Sequence, residues 1–260
     1  MSVYMEDARS DNSLQDIMGQ SPALKQTLRL AMKVARSDAP VLILGEAGSG
    51  KELIARAIHR ISLRRNESFV KVNCGVAGER KLESELFGRV DQPEGESREI
   101  GQAEAAHNGV LFLSEIADLP LDLQARLLRF LERREFERVG SATSIRVNVR
   151  LIASTQYDLA ERVAEEKFRE DLYDQLNVFP LRVPPLRERP DDILLLAGYF
   201  MQRFARRLDK HIDSIPPDTV NFLMSSDWPG NVRQLENLIQ SSVVLSEGPE
   251  LRVPLVGLGP

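Results

Sequence analysis

An unbroken apolar run, Val41-Leu42-Ile43-Leu44, leads directly into the glycine-rich turn Gly45-Glu46-Ala47-Gly48-Ser49-Gly50-Lys51. Four consecutive apolar residues suit a strand buried on both faces, as in a parallel sheet. The turn is followed by a helical pattern, so this stretch reads as strand, loop and helix. Its glycines permit close backbone approach, and the N–H groups at a helix start favour an anion. A lysine at the end of such a loop reaches the outer phosphate oxygens, so phosphate binding by residues 45–51 is expected. The next residue is Glu52, where the general pattern has a Ser or Thr hydroxyl for magnesium.

The unit repeats. A helix is expected from Ser21-Pro22, a capping residue with proline in the first turn, with Leu24, Leu28, Ala31 and Ala35 at helical spacing. After the loop come a helix over 52–61, a strand over 69–73, a helix over 79–87 and a strand over 110–113. A helix over 121–134, a strand over 147–154, a helix over 158–176 and a strand near 178–181 follow. Such alternation predicts an α/β domain with a mainly parallel sheet flanked by helices. Beyond Asp192 only helical patterns remain, at 193–208, 217–225 and 232–246. The expected organisation is therefore a polar linker over 1–15, a nucleotide-binding α/β domain over 16–188, and a small all-helical domain over 189–260.

Of the 260 residues 42% are hydrophobic, which suffices for a sizeable core. The net charge of −5 gives no global sign of a nucleic-acid binder. The single cysteine, Cys74, excludes an internal disulfide framework and fits a reducing cytosol. No apolar run nears the ~20 residues that span a membrane, and the N-terminus has no signal-peptide core. A cytoplasmic protein without membrane contact is expected. His59, His107 and His211 show no ligand spacing, and Cys74 follows a buried strand as a small core residue. Arg203, Arg206, Arg207 and Lys210 could suggest a basic patch, but they line a helix, and no nucleic-acid contact is expected of them.

Long strings in a fixed order carry a resemblance. They are DIMGQS (16–21), GEAGSGKELIARAIH (45–59), VNC (72–74), LESELFG (82–88) and LFLSEIADLP (111–120). FREDLYDQLNVFPLRVPPLRERPDDI (168–193) and WPGNVRQLENLI (228–239) complete the set. Over residues 16–246 the chain resembles the central domain of sigma-54-dependent transcription activators, a P-loop AAA+ domain followed by a helical lid. The resemblance implies ATP or ADP with Mg2+ as ligands and self-association into a ring, usually a hexamer. It implies ATP-driven remodelling of sigma-54 RNA polymerase. Nucleotide contacts are implied at Ile17, Met18, Gly45, Glu46, Ala47, Gly48, Ser49, Gly50, Lys51, Glu52, Val232 and Arg233, the last as a sensor of the γ-phosphate. Glu52 is usual in this family.

Four departures weaken that implication. Ser114-Glu115 stands where the family has Asp-Glu, which leaves Glu115 to polarise the attacking water and Ser114 only a weak hold on magnesium through bound water. Asn73 matches the residue that restrains this glutamate. The sensor position is Gln156 in place of Asn, one methylene longer. Of two arginine fingers, which stabilise transition-state charge across a subunit boundary, Arg169 remains and Gln175 replaces the other. Between Gly88 and Gly109 the GAFTGA contact loop is missing; residues 89–100 are charged and contain neither an aromatic residue nor a threonine. The expected function is an ATP-binding regulatory domain with weak or absent hydrolysis and no ordinary sigma-54 contact. Alternatives are a competent ATPase motor or a non-catalytic subunit in a mixed ring with a paralogue. Another transcription regulator is also a candidate partner. The family's DNA-reading helix-turn-helix is not found, so no direct DNA contact is expected.

Overall fold

A computed structural model describes residues 17–76, 78–90 and 98–253. The polar linker expected over 1–15 lies outside them. Two compact units are present: Arg29–Gly45 with Lys51–Arg182, and residues 17–28 and 46–50 with the chain from Val183 onward.

The first unit is built on a five-stranded sheet with neighbours in the order β2–β5–β8–β1–β9. Its strands are β1 (Val41–Leu44), β2 (Phe69–Asn73), β5 (Val110–Ser114), β8 (Arg150–Thr155) and β9 (Pro180–Arg182). Every pairing is parallel. The all-apolar runs explain this: Leu111, Phe112, Leu113, Ile152 and Ala153 are fully or almost fully buried, as strands covered by helices on both faces must be. Helices α1 (Pro22–Ala35), α2 (Lys51–Arg60), α3 (Glu79–Phe87), α4 (Gln102–Ala105), α5 (Leu121–Arg133), α6 (Leu159–Ala164) and α7 (Glu170–Leu176) complete the α/β pattern. Two antiparallel hairpins stand apart from the sheet: β3 (Gly88–Val90) with β4 (Arg98–Ile100), and β6 (Glu135–Glu137) with β7 (Ser144–Arg146).

The second unit contains α8 (Pro190–Arg207), α9 (Pro217–Ser225) and α10 (Asn231–Leu245) around a core of Leu196, Phe200, Phe204, Leu223, Trp228, Leu235 and Ile239. Asp192, fully buried in the first turn of α8, accepts hydrogen bonds from the N–H groups of Gln20 and Ser21 and from the Ser21 hydroxyl. Ser21 caps its own helix through the Leu24 N–H, as its place before Pro22 predicts. No helix among the described residues is long and apolar enough to cross a membrane.

The structure departs from the sequence expectation in several elements. The single helix expected over 158–176 is two. Glu166 adopts a left-handed φ of 56°, and the N–H groups of Lys167 and Phe168 both turn back to the Arg162 carbonyl. The buried Gln124 amide staples this break, donating to the carbonyls of Leu119 and Lys167 and accepting from the Arg169 N–H. The strand expected from Val147 starts at Arg150, because the Val147 N–H is spent on the Arg134 carbonyl beside the second hairpin. Helix α5 stops at Arg133, with Arg134 in a left-handed cap at φ 56°. Cys74 is buried as expected; burial and the nearby carboxylates of Asp118, Glu115 and Glu85 push its thiol up to about 12, so it remains protonated.

Arg150 opens β8 with 1% of its surface exposed. Its two terminal nitrogens donate to the carbonyls of Ala35 and Val34, at 3.0 and 2.8 Å, and so satisfy the last turn of α1. Burial lowers its pKa, but a guanidinium stays charged throughout the neutral range. Arg150→Ala would strand the Ala35 carbonyl, take one of its donors from that of Val34, which Ser37 also bonds, and leave a cavity. It is expected to lower unfolding stability by about 2–4 kcal/mol. Urea denaturation measures this, with Arg150→Lys, which keeps the charge but not the fork, falling between the two.

Candidate functional site

Because the strands run parallel and in close register, their C-terminal ends form one row. Leu44 lies opposite Thr155, Ser154 opposite Ser114, and Ser114 opposite Asn73. Ligands of open α/β sheets gather outside this edge. Sequence positions spread from 45 to 156 thus share one end of the first unit.

Here Lys51, the first residue of α2, is 93% buried and held twice. Its Nζ donates to the Gly45 carbonyl at 2.8 Å and pairs with Glu115 Oε1 at 3.2 Å. Glu115 follows β5 in a left-handed conformation, φ 54°, which costs a non-glycine residue of order 1–3 kcal/mol and is concentrated at functional sites. Its second oxygen, Oε2, is buried without a hydrogen-bond partner. Ser114 sends its hydroxyl to the Val72 carbonyl on β2, at 3.3 Å. Asn73 accepts the Gly75 N–H on its own amide oxygen, and no hydrogen bond joins Asn73 to Glu115 among the described residues. Gln156 is exposed just past β8, where Thr155 Oγ1 accepts the Tyr157 N–H.

Asp118, absent from the sequence-based site, also lies here. An added Cβ at Gly75 would come within 2.9 Å of its Oδ2. Burial raises its pKa, and the Glu115 charge pushes it further. Glu52 is committed elsewhere, bonded to Arg56 and Lys71. Burial raises its carboxyl, but the hydrogen bonds from Lys71 and Arg56 outweigh that and hold it below its ordinary range. Arg169 is exposed at the start of α7. Its guanidinium makes a fork with Asp171 at 3.0 and 2.6 Å.

The second unit holds the rest of the glycine-rich loop. The Ala47 carbonyl accepts from Asn231 Nδ2, the Gly48 carbonyl from the Val232 N–H, and the Ser49 carbonyl from the buried Arg189. The Glu46 carbonyl accepts the Ser49 N–H. With Gly45 bonded to Lys51, every carbonyl from Gly45 to Ser49 is taken. Among the described residues the Ala47, Gly48 and Gly50 N–H groups have no such partner. Gly48, at φ +73°, admits no side chain, since a Cβ would sit 2.3 Å from the Gly230 carbonyl. Gly50, at φ +105°, has nothing within 4 Å of its would-be Cβ. Ser49 Oγ is buried and lacks a hydrogen-bond partner. Carbonyls tied back, amides uncommitted and a buried hydroxyl unused make a loop that suits an anion.

Of the other expected contacts, Met18 packs on the helical core and Ile17 is half-buried. Arg233 is exposed on α10, with its Cβ beside Gly48. Glu46 pairs through its carboxylate with Arg187 and Asn231. Neither of those partners was legible in the sequence, because they lie 141 and 185 residues away. No group of three His, Cys, Asp or Glu residues among the described residues could hold a metal ion.

Known proteins share this arrangement. A family model described as the Sigma-54 interaction domain matches residues 17–182, and one described as an AAA+ ATPase lid domain matches residues 187–256. The formate hydrogenlyase transcriptional activator FhlA of Escherichia coli K12 is 50% identical over 247 residues, covering 94% of this chain and 36% of its own length. The regulatory protein AtoC of the same organism is 47% identical over 235 residues, covering 90% and 51%. The chain thus spans about a third to a half of the length of these relatives. The crystal structure of NtrX from Brucella abortus in complex with ATP superimposes with a TM-score of 0.85 at 38% identity, covering 95% of this chain and 57% of that one. The parallel sheet, the glycine-rich loop and the helical unit are those of these regulators, and the chain belongs to the sigma-54 interaction domain family of AAA+ proteins.

Proposed function

We propose that the chain is an ATP- and ADP-binding regulatory domain of a cytoplasmic transcription regulator, with weak or absent hydrolysis and no ordinary sigma-54 contact. Nucleotide binding is supported by the loop itself: the uncommitted amides of Ala47, Gly48 and Gly50, the unused Ser49 hydroxyl, and Lys51 at the start of α2. The Lys51–Glu115 ion pair would exchange for one between Lys51 and phosphate, releasing Glu115 toward a water. Arg233 would supply further positive charge.

The observation that carries the regulatory reading is Ser114. Magnesium organised by a carboxylate at this position neutralises developing charge during phosphoryl transfer. Here the side chain is neutral, and its proton is given to the Val72 carbonyl. Glu115 is then the chief protein group near the metal, so Mg2+ would be held mainly by the phosphates themselves. Arg169 contributes a single finger, already paired with Asp171, and Gln175 on the exposed side of α7 carries no charge. A ring with like subunits, or a mixed ring in which a paralogue supplies the absent arginine, follows from the family. Residues 91–97, at the centre of the charged segment that stands where the sigma-54 contact loop belongs, lie outside the described residues. RNA polymerase or another transcription regulator is the proposed partner, through surfaces other than that loop.

Three outcomes are expected. ATP or ADP should raise the melting temperature, because a ligand bound only to the native state stabilises it by roughly 2.7 kcal/mol at 100 times its Kd. Lys51→Ala should remove the shift, and an unchanged curve at millimolar nucleotide would refute binding. Phosphate release should be slow in the unmodified chain and rise steeply in Ser114→Asp with Gln175→Arg. That rise should exceed the product of the single effects, since an arginine finger alone is worth roughly 10³–10⁵ in rate where measured and the groups act as a unit. A double variant no faster than the unmodified chain contradicts the assignment. Native gels with purified sigma-54 and an ADP–metal fluoride should show no complex, because four acidic side chains (Asp91, Glu94, Glu96, Glu99) resist burial in an apolar contact. A band matching that of an active relative would overturn this part.

A further inference from the structure

Asn231 opens α10 with both of its amide hydrogens spent. It is completely buried, at a left-handed φ of 54° that asparagine tolerates better than most residues. Its Oδ1 accepts the Leu186 N–H at 2.7 Å, while its Nδ2 donates to Glu46 Oε2 at 3.0 Å and to the Ala47 carbonyl at 3.1 Å. Three of the four hydrogen-bonding positions of the group are used, both donor hydrogens among them, which fixes its rotamer. Arg187, one residue after Leu186, closes a fork on both oxygens of Glu46. The next backbone bond, from the Val232 N–H to the Gly48 carbonyl, comes from the residue after Asn231.

These bonds all act on the side of the loop that an anion does not use. Tying the Ala47 carbonyl outward orients a peptide plane whose opposite edge carries the Gly48 N–H, while the plane of the Gly48 carbonyl carries the Ser49 N–H, which donates to the Glu46 carbonyl. Without the ties, each carbonyl is free to rotate toward the space where negative charge must sit.

We propose that Asn231 and Arg187 are positioning residues for the phosphate-binding loop. They hold Glu46 and the Ala47 carbonyl so that the loop amides are set for an anion before it arrives. The inference rests on the nucleotide-binding reading above and adds residues that touch no nucleotide. It makes Glu46 a structural hinge-pin of the loop, in place of the direct nucleotide contact that the resemblance implies.

The chemistry gives a discriminating test. Asn231→Asp keeps the size and the bond from Leu186, but replaces both donated hydrogens with a carboxylate facing Glu46 and a carbonyl. Titration calorimetry with MgADP on the 260-residue chain compares it with Arg187→Gln, Lys51→Ala and the surface control Arg203→Ala. Asn231→Asp is expected to weaken MgADP on the order of 10-fold or more, the cost of an unpaired buried polar contact. Arg187→Gln should weaken it about 2–5-fold, since this pair is partly exposed, and Arg203→Ala should leave it unchanged. Adding Glu46→Gln to Asn231→Asp restores a donor–acceptor pair with reversed polarity and should recover part of the loss.

Equal MgADP affinity in the unmodified chain, Asn231→Asp and Arg187→Gln, with Lys51→Ala still defective, overturns the inference and leaves the proposed function standing. No MgADP binding by the unmodified chain overturns both. Should Asn231→Asp fail to fold, the exposed Arg187→Gln decides alone: weakened binding supports the inference and undiminished binding overturns it.

Discussion

Parallel pairing is the constraint from which the site follows. Strands buried on both faces cannot carry polar side chains along their length, so chemistry is displaced to their ends. When every strand points the same way those ends coincide, and Asn73, Ser114 and Ser154 come level without any local sequence relation. The fold therefore fixes where functional groups stand before it fixes what they are. That is why members of one family can lose a carboxylate or an arginine and keep the same frame.

Elements whose determinants are local were legible in the sequence. The strand over 69–73 and the helices over 79–87 and 217–225 coincide with their expected bounds, each marked by its own periodicity and turn residues. The break between α6 and α7 was not legible. Residues 158–176 read as one helix, and the staple that interrupts it comes from Gln124, more than forty positions earlier. The hairpin of β6 and β7 also escaped, since three residues give too little alternation to register a period. At the site, the loop and Lys51 stand at the strand-to-helix junction that their pattern marks, and Ser114 ends β5. The roles of Asn231, Arg187 and Arg189 were not legible, because they exist only as contacts with residues some 140 or more positions away.

Ser114 is more than the subtraction of a charge. An aspartate there would have no proton to donate and would be repelled by the Val72 carbonyl that the serine hydroxyl now satisfies. It would have to turn toward solvent, or toward a cation. The serine instead turns inward and closes the sheet edge. The substitution thus redirects the side chain as well as neutralising it, and leaves Glu115 with Asp118 as its acidic neighbour. Burial raises the pKa of Asp118, and the Glu115 charge beside it pushes the same way.

Buried arginines supply the remaining order. Arg150 ties the end of α1, and Arg189, 97% buried, ties the Ser49 carbonyl. Each acts across more than a hundred residues as a helix cap acts across three, offering several fixed donors to backbone carbonyls. Burial lowers the pKa of both, yet neither discharges, because even a large shift leaves a guanidinium far above neutrality. A lysine in the same place would provide one compact charge without the fork, and when so buried it would be prone to lose its proton. For a loop that must present amides to an anion, a guanidinium bonded to its carbonyl side has a further effect. It draws the peptide dipole the right way and adds positive potential behind the amides, so one residue both shapes and charges the cradle.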